Sequence, residues 1–398
     1  MKKSLSIFLT IVLIIFSFKE IIYGSQTLDT KLKNFIESYF NSYFEDYINL
    51  TEDTYNKYTK ESNSTLIYNT IHKNKIYLYK TLNTPFESFN INIVYKNIYT
   101  KKNTIDIDFL LSVSYKYKNA TCQSNLCNIP YRLEIIREPE LKICNIERIF
   151  SEDESFLYSM DLRSEDIPIE TLKNYLDKLE IKEQKQIDNI IDISKENVRS
   201  NSELTREYSN YSPDKGILYA KTFSKSYNPL FYSAPGDCSN FVSQCIWAAY
   251  GGYDFSSTET SYENIRKKYR MVPGSWHGNE GGGTINWESV ENLYNYLCKE
   301  KTIGPNGVGL NNKKTYESLS PSSINLGDVL QFGSINKRYS HSVYVTHING
   351  NGSKYSDIYI SQHTADLYNR NLLELIYLFG GTDCNMRCIK LKNSNFSK

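Results

Sequence analysis

The sequence predicts an α+β chain of two units joined by a helical connector, and three observations carry that reading. Leu32, Phe35, Ile36, Tyr39, Phe40, Tyr43, Phe44 and Tyr47 recur every three or four residues, which makes one broad apolar helix face. Between Ile71 and Phe150 the apolar residues switch to alternate positions, the period of half-buried strands. From residue 211 onward one strongly patterned helix is followed by strands to the C-terminus.

A chain of 398 residues exceeds the ~100–200 residues of one ordinary domain, and a hydrophobic content of 40% is enough for packed cores. The 46 basic and 45 acidic residues nearly cancel, to a formal net charge of +1. Without a basic excess, or a basic cluster interleaved with aromatics, nucleic acid is not an expected partner. The 34 tyrosines belong to a general Asn, Lys and Ile bias, so none is given a role of its own.

Residues 1–24 read as an export signal: Lys2 and Lys3, an apolar run from Leu5 to Phe18, then Gly24 and Ser25 at a cleavage point. The mature chain is expected outside the cytoplasm, secreted or at the cell surface. The run is shorter than the ~20 apolar residues of a spanning helix; an uncleaved anchor is the alternative, and no other segment could span a membrane. Among eight cysteines, Cys122 with Cys127 and Cys384 with Cys388 could close local loops, while Cys144, Cys245 and Cys298 sit in apolar patterns. No CxxC pair occurs and the histidines are not spaced as ligands, so neither a metal nor a cofactor is expected.

The first unit, residues 26–160, opens with the amphipathic helix. Strands are expected around Ile76 with Leu78, Ile91 with Ile93, Ile105 to Tyr115, Leu133 with Ile135, and Ile143, with a hairpin turn at Lys101-Lys102-Asn103. One helix against a curled antiparallel sheet is a cone of the cystatin-like or nuclear-transport-factor-like type, read here as a scaffold. Residues 161–205 form the connector: Leu172, Tyr175, Leu176, Leu179, Ile187, Ile190 and Ile191 make one stripe, with mixed charges opposite.

The second unit spans residues 206–398. A helix around Ile217 to Phe223 leads through Asn228-Pro229 and Pro235-Gly236 to Asp237-Cys238-Ser239-Asn240-Phe241-Val242-Ser243-Gln244. Asp237 is suited to cap a helix, Cys238 takes the first helical position, and Phe241, Val242, Cys245 and Ile246 follow at helical spacing up to Gly251-Gly252. N–H groups without intrahelical partners surround such a cysteine and raise its thiolate fraction. Cys238 is therefore the candidate nucleophile, although a cysteine at a helix start is more often plain core. Gly281 to Gly283 lack the Lys-Ser/Thr ending of a phosphate loop and read as a flexible loop near the cleft. Trp276 and Trp287 are candidate cleft-lining residues, the latter on a helix with Val290, Tyr294 and Leu297.

A thiolate nucleophile needs a base, and the base needs a third group to hold its tautomer. Of five histidines, His72 lies in the first unit, His277 in a Gly-flanked loop, and His341, His347 and His363 near a strand pair. The turn Asn349-Gly350-Asn351-Gly352-Ser353 folds that pair into a hairpin. Folding about Gly352 sets His341 opposite His363, within about 5.5 Å, and a slip of one residue would separate their faces. His341 is the expected base and His363 the third group, with Gln362 and Asp366 as alternatives. His347 is read as a polar strand residue and Asp328 as a turn-former.

On Tyr219-Ala220, Asn228-Pro229, the Asp237 to Gln244 run, the Trp287 to Leu297 helix, Leu326-Gly327-Asp328-Val329 with Phe332, and His341-Ser342-Val343, the second unit resembles the putative amidase domain family. That family is a branch of the papain-like hydrolases that includes the CHAP and NlpC-type cell-wall enzymes. The resemblance implies a cysteine helix packed on an antiparallel sheet, with the base histidine on a neighbouring strand. It also implies an exported cysteine amidase or peptidase acting on bacterial peptidoglycan or peptide through a thioester. Two alternatives stay open: an inactive surface-binding or adhesion protein, and a transpeptidase-like or transglutaminase-like acyltransferase using the same thiol.

Overall fold

The computed structural model describes residues 29–396 apart from 53, 138, 149–166, 191–209, 234–235, 335–337 and 365; the expected signal segment lies outside them. No helix among the described residues is long and apolar enough to cross a membrane. Helix α1 (Thr30–Asn49) buries Leu32, Ile36, Tyr39, Phe40, Tyr43, Phe44 and Tyr47, the face its period predicts. Helix α2 (Asn63–Thr81), started by a Ser62/Thr65 capping box, corrects the strand expected at Ile76 and Leu78. It is buried around most of its circumference, from Ile67 and Ile71 to Ile76, Leu78 and Tyr79, and a helix covered on all sides has no clear 3.6-residue stripe to read.

Strands β1 (Phe86–Thr100), β2 (Thr104–Tyr117), β3 (Ser124–Ile136) and β4 (Lys142–Arg148) pair antiparallel, with the turn at residues 101–103 where it is expected. Irregular registers in all three pairings bend the strands around α1. Phe40 meets the rings of Phe109 and Tyr131 edge-on at 5.6 and 5.4 Å in that core. Helix α3 (Ile169–Asp188) lays Leu172, Leu176 and Leu179 against Ile67 and Ile71 of α2.

The second unit runs through α4 (Pro213–Phe223), α5 (Cys238–Ala249), α6 (Thr258–Arg266), the small hairpin β5 (Gly278–Asn279) and β6 (Gly282–Gly283), α7 (Ile285–Glu288) and α8 (Val290–Cys298). It continues through β7 (Gly307–Leu310), β8 (Val329–Ser334), β9 (His341–Ile348), β10 (Ile358–Gln362), β11 (Asp366–Asn371), α9 (Leu372–Leu378) and β12 (Cys384–Leu391). Apart from the separate β5–β6 hairpin, the strands belong to one antiparallel sheet in the order β1-β2-β3-β11-β10-β9-β8-β12-β7, with β4 also on β3. The two units meet within it, where Asp366, Leu367 and Tyr368 face Cys127, Leu126 and Asn125. The protein is thus α+β, and its sheet has two differently packed faces in the second unit. Val329 and Tyr344 join the core under α5, while Leu330, Phe332, Val343 and Val345 join the core under α9. All eight cysteines are free thiols, so neither expected local loop closes. Cys384 and Cys388 lie on one extended strand, too far apart to bridge.

Candidate active site

Every residue of α5 is buried, including Ser239, Asn240, Ser243 and Gln244, so each polar side chain there needs a partner. Each has one. Ser239 Oγ lies 3.0 Å from Ser342 Oγ, and Ser243 Oγ donates to the Trp287 carbonyl at 2.8 Å. Asn240 Oδ1 accepts from Trp287 Nε1 at 2.7 Å and Gln244 Nε2 at 3.0 Å. Its Nδ2 donates to Asp237 Oδ1 and to the Tyr232 carbonyl, both at 2.7 Å. Gln244 Oε1 accepts from the Tyr219 hydroxyl at 2.7 Å, which accepts in turn from Asn228 Nδ2 at 2.8 Å.

Asp237 stands at the N-cap position but does not cap with its side chain, contrary to expectation. Its carboxylate is turned to Asn240 and, at 2.6 Å, to His363 Nδ1. The N–H groups of the first turn around Cys238 are therefore left without a side-chain cap. Cys238 itself is 4% exposed, its Sγ 4.0 Å from Ser239 Oγ.

The register of β9 and β10 departs from the symmetric hairpin. Ile358 faces Ile348 and Tyr359 faces His347, but Ile360 faces Val345 and Ser361 faces Tyr344. Thr346 is the extra residue, a bulge whose hydroxyl lies 3.0 Å from Ser361 Oγ and donates to Asn369 Oδ1 at 2.9 Å. Continued past Ser361, this register sets Gln362 against Val343 and His363 against Ser342, so His363 does not stand behind His341.

The histidines part accordingly. His341 faces Phe332 of β8 and stacks on Phe379 at 5.7 Å, on the face away from α5. Among the described residues the expected hydrogen bond from Cys238 to His341 is not formed, and strand alternation turns Ser342 toward α5. His363 lies on the α5 side, its ring 4.2 Å from that of Phe241 and 4.5 Å from that of Tyr227. Gln362 shares the face of His341; its Nε2 donates to the Thr364 carbonyl, and its buried Oε1 has no hydrogen-bond partner among the described residues.

Trp276 and Trp287 are both fully buried, 4.6 Å apart, and Trp287 Nε1 donates to Asn240 Oδ1. Asp366 begins β11, where burial raises its carboxyl, nearby His363 lowers it and Asp237 raises it further. Asp328 is the expected turn-former, accepting from Asn325 N at 2.8 Å and from Lys390 Nζ at 2.9 Å. His347 meets Thr121 Oγ1 of the first unit at 3.0 Å. Among the described residues no group of three or more His, Cys, Asp or Glu is arranged to hold a metal ion. Sequence reasoning missed the pairing of Asp237 with His363; an aspartate directly before the candidate nucleophile was the available signal.

Cys238 thus sits between two ties. The residue before it is held by His363, and the residue after it by Ser342, the neighbour of His341. Residues 210–386 match the sequence model of the family described as Putative amidase domain, the family that the second unit resembles. No curated protein and no solved structure matches the chain.

Proposed function

We propose, from the premise that residues 210–386 form an amidase-family domain, that the chain is an exported cysteine amidohydrolase cleaving amide bonds of peptidoglycan. The observation that carries the reading is Cys238 as first residue of α5, beneath first-turn N–H groups that Asp237 leaves uncapped. Export rests on the signal-like residues 1–24, and the wall as substrate rests on export together with the amidase match.

His341 takes the Cys238 proton. Its selection follows from His363, whose two ring nitrogens are already engaged. Ser239 and Ser342, in contact, bring the starts of α5 and β9 together, and the proton passes between Cys238 and His341 across that junction. The thiolate adds to the substrate carbonyl, and the oxyanion is held by the Cys238 N–H at the helix N-terminus. His341 then gives its proton to the leaving amine, and water releases the acyl group from the thioester. Gln362, on the same sheet face as His341, is the third group of this reading, its role being to orient the base. Digestion of purified wall material by wild type and Cys238→Ala, with mass analysis of the products, tests the proposal. Release confined to the wild type supports it, and equal release by the variant ends it.

A further inference from the structure

We propose that His363 carries a proton on both ring nitrogens and acts as a positioning residue, a fixed cation that holds Asp237 and the start of α5, rather than as the base. The inference rests on the reading of Cys238 as nucleophile, but its first test does not. Each ring nitrogen faces an acceptor. Nε2 lies 2.7 Å from the carbonyl oxygen of Phe223, which can only accept, so Nε2 carries hydrogen. Nδ1 lies 2.6 Å from Asp237 Oδ2, the length of a charge-assisted bond. The other carboxylate oxygen of Asp237 already accepts from Asn240 Nδ2 at 2.7 Å.

The surroundings favour a cation independently of those two bonds. Phe223 is the last residue of α4, so its carbonyl belongs to the negative end of a helix. The ring stacks on Phe241 at 4.2 Å and 27° and meets the ring of Tyr227 at 4.5 Å and 52°, aromatic neighbours that suit a delocalised cation. Of the titratable groups around it, Asp237 and Asp366 are acidic, Tyr227 has its phenol raised by burial and by those two carboxylates, and Cys238 follows Asp237 directly. The ring therefore ties three elements: the end of α4, the end of β10 and the start of α5. A side chain holding both its protons against two acceptors cannot take one from the thiol without breaking a tie.

Two measurements test this. Long-range proton–nitrogen correlation spectra of the full chain at about pH 7.5, assigned with His363→Gln, are expected to show both His363 ring nitrogens protonated. One bare nitrogen overturns the proposal, whatever the enzyme's activity. The second measurement is the rate of Cys238 alkylation by iodoacetamide between about pH 5 and 9. His341→Gln is expected to abolish the inflection set by the base. His363→Gln keeps the inflection but slows labelling about ten-fold or more at every pH, the loss of one charge-assisted hydrogen bond. Labelling of His363→Gln at the wild-type rate, or loss of its inflection while that of His341→Gln persists, overturns the assignment. If His363→Gln does not fold, Asp237→Asn is expected to give the same slowing, and unchanged labelling in it counts against the proposal. Wall hydrolysis that survives Cys238→Ala would defeat the proposed function and leave the spectroscopic result standing.

Discussion

Asn240 uses all the hydrogen-bonding capacity of a carboxamide: two acceptor bonds, from Trp287 and Gln244, and two donor bonds, to Asp237 and Tyr232. Asn240→Ala would strand a buried indole N–H, a Gln244 amide and one oxygen of Asp237, a loss of roughly 2–4 kcal/mol in denaturant unfolding. Gln362 is the opposite case. Its buried Oε1 makes no bond among the described residues, so Gln362→Ala removes a desolvation cost and should leave stability within about 1 kcal/mol. Wall-peptide release by that variant should fall about ten-fold or more if the amide orients His341. Equal release would remove Gln362 from the site. Cys238 and its helix were legible because a cysteine at a helix start follows from turn residues and spacing alone. The duties of Asp237 and Trp287 were not, since each is set by a partner distant in sequence: His363 for one, Asn240 for the other.

Among the elements, α1 and the β2–β3 sheet were readable because each has one buried face, whereas α2 was not because it is buried nearly all round. The β9–β10 turn was legible, but the bulge at Thr346 was not. It is held by Ser361 and Asn369 across two neighbouring strands, and it shifts the register by the one residue that separates Gln362 from His363. Helices α1 and α2 are tied by a buried pair, Asp46 Oδ2 with His72 Nε2 at 3.0 Å. Burial works to raise the Asp46 carboxyl, but hydrogen bonds from His72, Thr51 and Thr54 outweigh it and hold the group below its ordinary range. A carboxyl depressed in the folded state contributes stability above its unfolded pKa, about 3.9, and loses it as pH falls through the lower folded value. Unfolding midpoints of the first unit's signals should therefore drop steeply below about pH 4. Asp46→Asn should flatten that drop, and at neutral pH cost about 3–5 kcal/mol by breaking a buried pair; an unchanged acid profile would contradict the assignment.

At the scale of the molecule, the sequence marked two units, but their fusion in one sheet could not be read, because β3 and β11 are brought together only by the tertiary fold. A second tie crosses the same seam. Glu374 of α9 accepts from the hydroxyls of Tyr79, at 2.6 Å, and Tyr117, both from the first unit, and lies 3.3 Å from Arg370 Nε. Burial raises its carboxyl from 4.5 to about 7, against the opposing effects of the Tyr79 hydrogen bond and Lys75. A group raised on folding contributes stability that is complete below its unfolded pKa and is lost as pH rises through the folded value. The seam should therefore hold best in mild acid and loosen through about pH 7, opposite in sign to the Asp46 pair. Amide hydrogen exchange at Leu126, Cys127, Leu367 and Tyr368, compared between about pH 6 and 8 after correction for intrinsic rates, should show falling protection in the wild type. Glu374→Gln stays neutral and keeps an acceptor for both tyrosines, so its protection should not change across that range. The site shares in the outcome, because β11 begins three residues after His363. A seam that loosens above pH 7 should weaken the tie of His363 to Asp237, and Cys238 labelling in the wild type should then lag behind that in Glu374→Gln on the alkaline side alone.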